Sequence, residues 1–188
     1  MTSFDMHPGD TRRDRTASVD ASRGRRRLLL ALAGVSCAGT AWAQRATTAP
    51  LPPLGSRLVL PDLPLLDGRT LRAADLTGQV VVLYWWASWC PFCAVQSPLI
   101  DQLQRAQGAR GLRVVGLSID KKPEEAAAHL AQKGYGFAST WLSPELARVL
   151  PKPRGLPVTV VLGRDGRVVM SDAGQLFPED IEGIARFL

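Results

Sequence analysis

The feature that most restricts this chain is an apolar run joined directly to a helical pattern. Val80-Val81-Val82-Leu83-Tyr84-Trp85 lies within residues 79–86 and shows no apolar–polar alternation. A strand exposed on one face alternates, whereas a strand covered on both faces of a sheet reads as continuous hydrophobic sequence. The segment is therefore expected to be a central strand. Shortly after it comes Cys90-Pro91-Phe92-Cys93, and after Cys93 the apolar spacing becomes helical. Val95, Leu99, Leu103 and Ala106 are predicted to form the buried face of that helix, with Gly108 and Gly111 ending it.

The same alternation continues. Leu112–Ile119 reads as a second buried strand. Pro123–Lys133 reads as a helix, with proline in its first turn, Glu124 and Glu125 at the positive end of its dipole, and Gly134 as terminator. Ser143-Pro144-Glu145 opens a short helix to Leu150. Val158–Leu162 and Arg167–Met170 read as strands around Arg164-Asp165-Gly166, and Ile181, Ile184, Ala185 and Leu188 mark a last helix. Upstream, Asp67-Gly68 between Leu63–Leu66 and Arg69–Leu71 signals a hairpin, because glycine accepts positive φ. One helical turn is expected at Ala73–Leu76. The order predicts an α/β fold whose mixed sheet has parallel crossovers first and an antiparallel ribbon last.

Residues 1–43 read as an address. Arg23, Arg25, Arg26 and Arg27 precede an uncharged run from Leu28 to Ala41, then Ala41-Trp42-Ala43. A basic segment, a short apolar segment and A-x-A are the parts of a secretory signal peptide, with cleavage expected after Ala43. Gly24-Arg25-Arg26-Arg27-Leu28 resembles the twin-arginine export pattern; an ordinary basic leader is the alternative. An uncleaved membrane anchor is a further alternative. Cys37 is expected to be a passive leader residue, since Gly34-Val35-Ser36 lacks the leucine usual before a lipoprotein cysteine. Residues 44–57, rich in Ala, Thr and Pro, are expected to link the leader to a domain at 58–188.

The leader also explains half of the charge. It holds seven Arg and four Asp, so its removal takes the net charge from +6 to +3. The remaining cations, among them Arg57, Arg72, Arg110, Lys133 and Arg164, are scattered. No basic patch is interleaved with aromatics, so nucleic-acid binding is not expected.

Of the three cysteines, Cys90 and Cys93 remain after processing. At the start of a helix, unpaired N–H groups and the positive dipole end point at the first sulfur and stabilise its thiolate. The second thiol is close enough to resolve a mixed disulfide. This chemistry is thiol–disulfide exchange, with the Cys90–Cys93 disulfide as the redox group and no other cofactor. A structural disulfide is the plain alternative, although such bridges usually close longer loops. A metal site is not expected: there is no second C-x-x-C, and His129, the one histidine left after processing, reads as a surface helix residue.

Trp85-Trp86-Ala87-Ser88-Trp89-Cys90-Pro91-Phe92-Cys93 resembles the thioredoxin active-site segment. Pro61–Leu65 with Asp67-Gly68-Arg69, Asp75–Val81, Pro98, Gly155-Leu156-Pro157-Val158-Thr159 and Asp165-Gly166 together resemble the TlpA-like and ResA-like thiol oxidoreductases of the thioredoxin superfamily. The likeness covers residues 58–188. It implies a thioredoxin-like fold with an N-terminal β-hairpin and an extra strand–helix unit, placed around Pro123–Thr140. It implies that Cys90 is the nucleophile, Cys93 the resolving cysteine and Pro157 a cis-proline beside them. Trp89, Pro91, Phe92, Leu156 and Pro157 would then meet substrate, Trp89 and Phe92 as an apolar rim and Leu156 through its backbone.

The resemblance further implies an exported, periplasmic, monomeric reductase. Its substrates would be protein disulfides, such as those of apocytochrome c or metallochaperones, and a membrane thiol donor would supply electrons. An oxidase or isomerase is the runner-up, and a non-catalytic binding module or metallochaperone a third reading. Phe92 has no side-chain donor for a thiolate, which speaks against a strong oxidant. Two positions depart from the pattern. Tyr84 stands where thioredoxin has a buried Asp, and Gln96 where many of these relatives have Glu. Both are expected to serve only in packing or hydrogen bonding, which leaves Cys93 without the usual base.

Overall fold

The computed structural model describes residues 49–188. The expected leader, its cleavage point after Ala43 and Cys37 lie outside the described residues.

A two-stranded hairpin comes first, β1 (Leu63–Pro64) and β2 (Thr70–Leu71). Gly68 turns it with φ 85°. A 3-10 turn follows at Ala73–Leu76. Next come β3 (Val80–Trp86), α1 (Pro91–Gln107), β4 (Leu112–Ser118), α2 (Pro123–Lys133) and β5 (Ala138–Trp141). The chain ends with α3 (Leu146–Val149), β6 (Val158–Leu162), β7 (Val168–Ala173), α4 (Pro178–Glu182) and a 3-10 turn at Gly183–Phe187. The last helix is thus shorter than its apolar spacing predicts, and its second half tightens to 3-10 geometry from Gly183 on. Ile181 and Ile184 are still buried.

The five-stranded sheet has the order β5-β4-β3-β6-β7. β3 runs parallel to β4, and β4 to β5, while β6 and β7 are antiparallel additions. The steps from β3 to β4 to β5 go in one direction. Two right-handed crossovers in one direction place α1 and α2 on one face. β3 sits in the middle, and all its residues are buried. Val80, Val82, Tyr84 and Trp86 pack with residues of α1, α2 and α4. Val81, Leu83 and Trp85 pack on the other face with Leu63, Leu76, Leu146 and Leu150. This two-sided burial is the reason for the unbroken apolar run.

Each sheet edge is partly capped by upstream chain, which limits pairing there with another chain. On the β5 side, the Leu66 N–H donates to Ser139 O (2.8 Å), and the Thr140 hydroxyl to Pro64 O (2.6 Å). On the β7 side, Gly55 N–H donates to Val168 O (2.7 Å), and Val168 N–H to Ser56 O (2.9 Å). Residues 49–57, expected as part of a linker, are therefore tied to the folded unit. An open strand edge offers backbone donors and acceptors that composition does not reveal. No helix among the described residues is long and apolar enough to cross a membrane.

The buried face of α1 differs from expectation. Cys93, Gln96, Ser97, Ile100 and Leu103 are buried, whereas Val95 is 55% exposed and Ala106 is exposed. Polar residues occupy the inner face because each finds a buried partner, described below. His129 also differs. It is half-buried, with its ring 5.7 Å from that of Trp86. Burial, and then nearby Lys133, lower its pKa.

Candidate active site

The carboxyl end of β3 delivers the chain to a tight turn. Cys90 N–H donates to Ala87 O at 3.2 Å, closing residues 87–90 just before α1. Cys90 is the N-cap of α1, with extended backbone (φ −84°, ψ 115°), and Pro91 takes the first helical position. That position needs no N–H, so proline fits. The Cys93 N–H then donates to Cys90 Sγ at 3.2 Å. Both cysteines are free thiols in this structure.

The two sulfurs have different surroundings. Cys90 is 4% exposed and Cys93 1% exposed, so both are buried. Burial first, and the adjoining Cys90 sulfur second, push the Cys93 thiol above its ordinary range. Around the pair, Trp89 is 62% and Phe92 58% exposed. Pro91 is exposed as well. The Leu156–Pro157 peptide bond is cis, and Pro157 is buried at the start of β6, with Leu156 half-buried before it. Trp85 pairs with Val158 and Tyr84 with Thr159, which places the beginning of β6 beside the end of β3. The structure thus brings to one end of the sheet the residues that the sequence singled out in two distant segments.

Three polar contacts support this region. The Tyr84 hydroxyl lies 3.0 Å from Ser97 Oγ and donates at 3.4 Å to Cys93 O. Burial holds the Tyr84 phenol protonated far above its ordinary range. Gln96 donates from Nε2 to Thr159 Oγ1 (2.9 Å) and accepts the Leu176 N–H at Oε1 (2.7 Å). Both residues therefore occupy the packing and hydrogen-bonding places expected of them. Neither is a carboxylate.

Sequence reasoning missed the third contact, which joins Ser88, Ser118 and Asp120. The Ser88 hydroxyl donates to Asp120 Oδ1 at 2.6 Å, and the Ser118 hydroxyl to Oδ2 at 2.7 Å. A usable signal was present. Ser118 and Asp120 are polar residues at the carboxyl end of a buried strand, where α/β sheets place their sites. Among the described residues, no group of acidic residues, histidines and cysteines could hold a metal ion.

A mixed sheet flanked by helices, with a C-x-x-C at the start of the helix after its central strand, defines a thioredoxin-fold dithiol–disulfide exchange protein. Residues 57–171 match the AhpC/TSA family, and the chain belongs to it. It is 25% identical over 121 residues to the thiol-disulfide oxidoreductase ResA of Bacillus anthracis, covering 63% of this chain and 68% of that one. It is 28% identical over 132 residues to the thiol:disulfide interchange protein HelX of Rhodobacter capsulatus, covering 70% and 66%. A thioredoxin-family thiol:disulfide interchange protein from Chlorobium tepidum has the same fold. That likeness has a TM-score of 0.63 at 22% identity, over 70% of this chain and 95% of that one. The protein is a thiol–disulfide oxidoreductase with a thioredoxin-like fold, similar in sequence to ResA and HelX.

Proposed function

We propose that the protein is an exported reductase of protein disulfides, with Cys90 as nucleophile and Cys93 as resolving thiol. The observation that carries this reading is the asymmetry of the pair. Cys90 caps α1 and its Sγ accepts the Cys93 N–H, whereas burial and the adjoining Cys90 sulfur hold the Cys93 thiol protonated.

The Cys90 thiolate attacks one sulfur of a substrate disulfide. That S–S bond breaks, a mixed disulfide forms, and the first substrate thiolate leaves and takes up a proton. Cys93 loses its proton and attacks Cys90 Sγ. The Cys90–Cys93 disulfide forms and the second substrate thiol is released. Two electrons have passed from the pair to the substrate, with no further cofactor. A thiol donor at the membrane restores the dithiol. Trp89, Pro91 and Phe92 form an apolar contact surface, and the Leu156–Pro157 segment presents backbone to an extended substrate strand, as in strand addition. HelX and ResA are named for interchange and oxidoreductase activity. Cysteine pairs awaiting haem or metal, as in apocytochrome c or metallochaperones, are the substrate class proposed for this chain. Export follows from the leader motif, and the protein works in the periplasm as a monomer.

The deciding experiment is the reduction potential of the Cys90–Cys93 pair, measured against glutathione, together with insulin reduction. A reductase gives a value near that of thioredoxin, about −270 mV. A value near about −120 mV, that of a strong oxidant, reverses the direction of electron flow.

A further inference from the structure

The turn that presents Cys90 hangs from a buried carboxylate that takes no part in the exchange steps. Asp120 lies two residues beyond the end of β4 and is 3% exposed. Its Oδ1 accepts from the Ser88 hydroxyl at 2.6 Å and from the Ser88 N–H at 3.1 Å. Its Oδ2 lies 3.2 Å from the same N–H and accepts from the Ser118 hydroxyl at 2.7 Å. The Asp120 backbone is held as well. Its N–H donates to Ser118 Oγ at 3.1 Å, and its carbonyl accepts the Trp141 indole N–H at 2.8 Å.

Two elements therefore fix this aspartate, β4 through Ser118 and β5 through Trp141. Across the gap its carboxylate binds one segment, the turn between β3 and α1. Burying a carboxylate is unfavourable, and apolar packing at such a position is often as stable or more so. A buried carboxyl group aimed at one backbone N–H and the hydroxyl of the same residue gives geometry instead. Only Trp89 separates Ser88 from Cys90, and the turn is closed by Cys90 N–H on Ala87 O. A displaced Ser88 passes to the sulfur with little slack.

We propose that Asp120 is a positioning residue for the exchange reaction: by holding Ser88 it sets the direction of Cys90 Sγ and of the Trp89 ring. Misplacement of a reacting atom by ~1 Å is enough to slow a reaction by ~10²-fold. The proposal rests on exchange through the Cys90–Cys93 pair and is independent of the direction of electron flow.

The test compares wild type, Asp120→Ala, Asp120→Asn, Ser88→Ala and the Asp120→Ala/Ser88→Ala double variant. Turnover of insulin disulfides and of oxidised glutathione is measured per folded molecule, with kcat and KM separated. Asp120→Ala lowers kcat by about 10-fold on both substrates; KM stays nearly unchanged for oxidised glutathione and rises for insulin, which docks on the Trp89 ring. Ser88→Ala has a smaller effect, because its N–H remains bound. Asp120→Asn is a partial rescue, since one amide oxygen still accepts. The double variant is no slower than Asp120→Ala alone, because the two side chains act through one contact. Should Asp120→Ala fail to fold, reduced kcat in both Asp120→Asn and Ser88→Ala supports the proposal. Wild-type kcat in those two, or additive losses in the double variant, overturns it, whatever happens to the melting temperature. A wild-type pair that exchanges with neither substrate overturns both the proposal and the proposed function. A competent wild type with unaltered variants overturns the positioning role alone.

Discussion

The Gln96 amide meets the Thr159 hydroxyl at 2.9 Å, fastening α1 to β6 two residues after Pro157. Its oxygen accepts the Leu176 N–H at the same time. A glutamate at this position can be served by both partners, since the Thr159 hydroxyl can rotate to donate. Gln96→Glu is therefore expected to fold, with its carboxyl pKa raised by burial. Its charging lowers stability by about 1–3 kcal/mol at neutral pH and adds an ionisation to the pH profile of exchange. Urea unfolding and the pH–rate curve check this. An unchanged rate and profile would leave Gln96 a purely structural clamp.

Cys90→Ala abolishes exchange. Cys93→Ala retains the attacking thiol but stops at the mixed disulfide, so a covalent adduct accumulates with an oxidised protein substrate. Mass spectrometry of the trapped species measures this. Multiple turnover by Cys93→Ala would remove Cys93 from the resolving role.

The raised Cys93 thiol predicts two pH effects. Resolution of the mixed disulfide needs the thiolate. Its rate therefore rises about tenfold per pH unit through the neutral range, as measured by single-turnover mixing. Stability of the reduced protein moves the opposite way. Below the ordinary thiol pKa of about 8.5, folded and unfolded states both hold the Cys93 proton. Above it the unfolded chain releases the proton first and is favoured, with a limiting slope of about 1.4 kcal/mol per pH unit. Tyr84, raised in the same sense, adds to the loss only from about pH 10. Between these limits, Cys93→Ala should flatten the stability curve. An unflattened curve would show that the Cys93 proton is not held by the fold.

Trp89 and Phe92 stand exposed beside a buried sulfur pair, so they meet large substrates more than small ones. Trp89→Ala and Phe92→Ala should each lower kcat/KM for insulin by about 10-fold, the loss expected when an aromatic anchor of an interface is truncated. Rates with oxidised glutathione should stay within about twofold, because a small disulfide does not span the rim. Equal losses on both substrates would place these rings in the chemistry rather than in docking.

Gly116 lies on β4 beside Trp86. A Cβ there would meet Ser139 Oγ at 2.7 Å, Trp86 Nε1 at 2.8 Å and Phe137 Cε2 at 2.9 Å. Gly116→Ala should destabilise by about 1–3 kcal/mol through overpacking. The measurement is the urea midpoint with an unchanged m value. Wild-type stability would mean that the aromatic group yields without cost.

The elements with strong local signals were legible from residues alone. The run at Val80–Trp86, the Pro123–Lys133 helix with Gly134 behind it, and the turn at Asp67-Gly68 are where the sequence placed them. The inner face of α1 was not. Apolar periodicity selected Val95 and Ala106, but the fold buried Gln96 and Ser97. Periodicity counts hydrophobic residues; it is blind to a glutamine whose buried partners lie on β6 and in the segment before α4.

The sequence by itself determined the two-sided strand, the helix that follows it and the C-x-x-C at their junction. These depend on spacing within one short segment, and local propensity and burial pattern act at that range. Only the tertiary structure decided that Gln96 bridges Thr159 and Leu176, and that Asp120 holds Ser88. Those relations arise from which strands become neighbours in the sheet. A buried polar group shows its purpose only when its partner, far away in the chain, is brought within hydrogen-bonding distance.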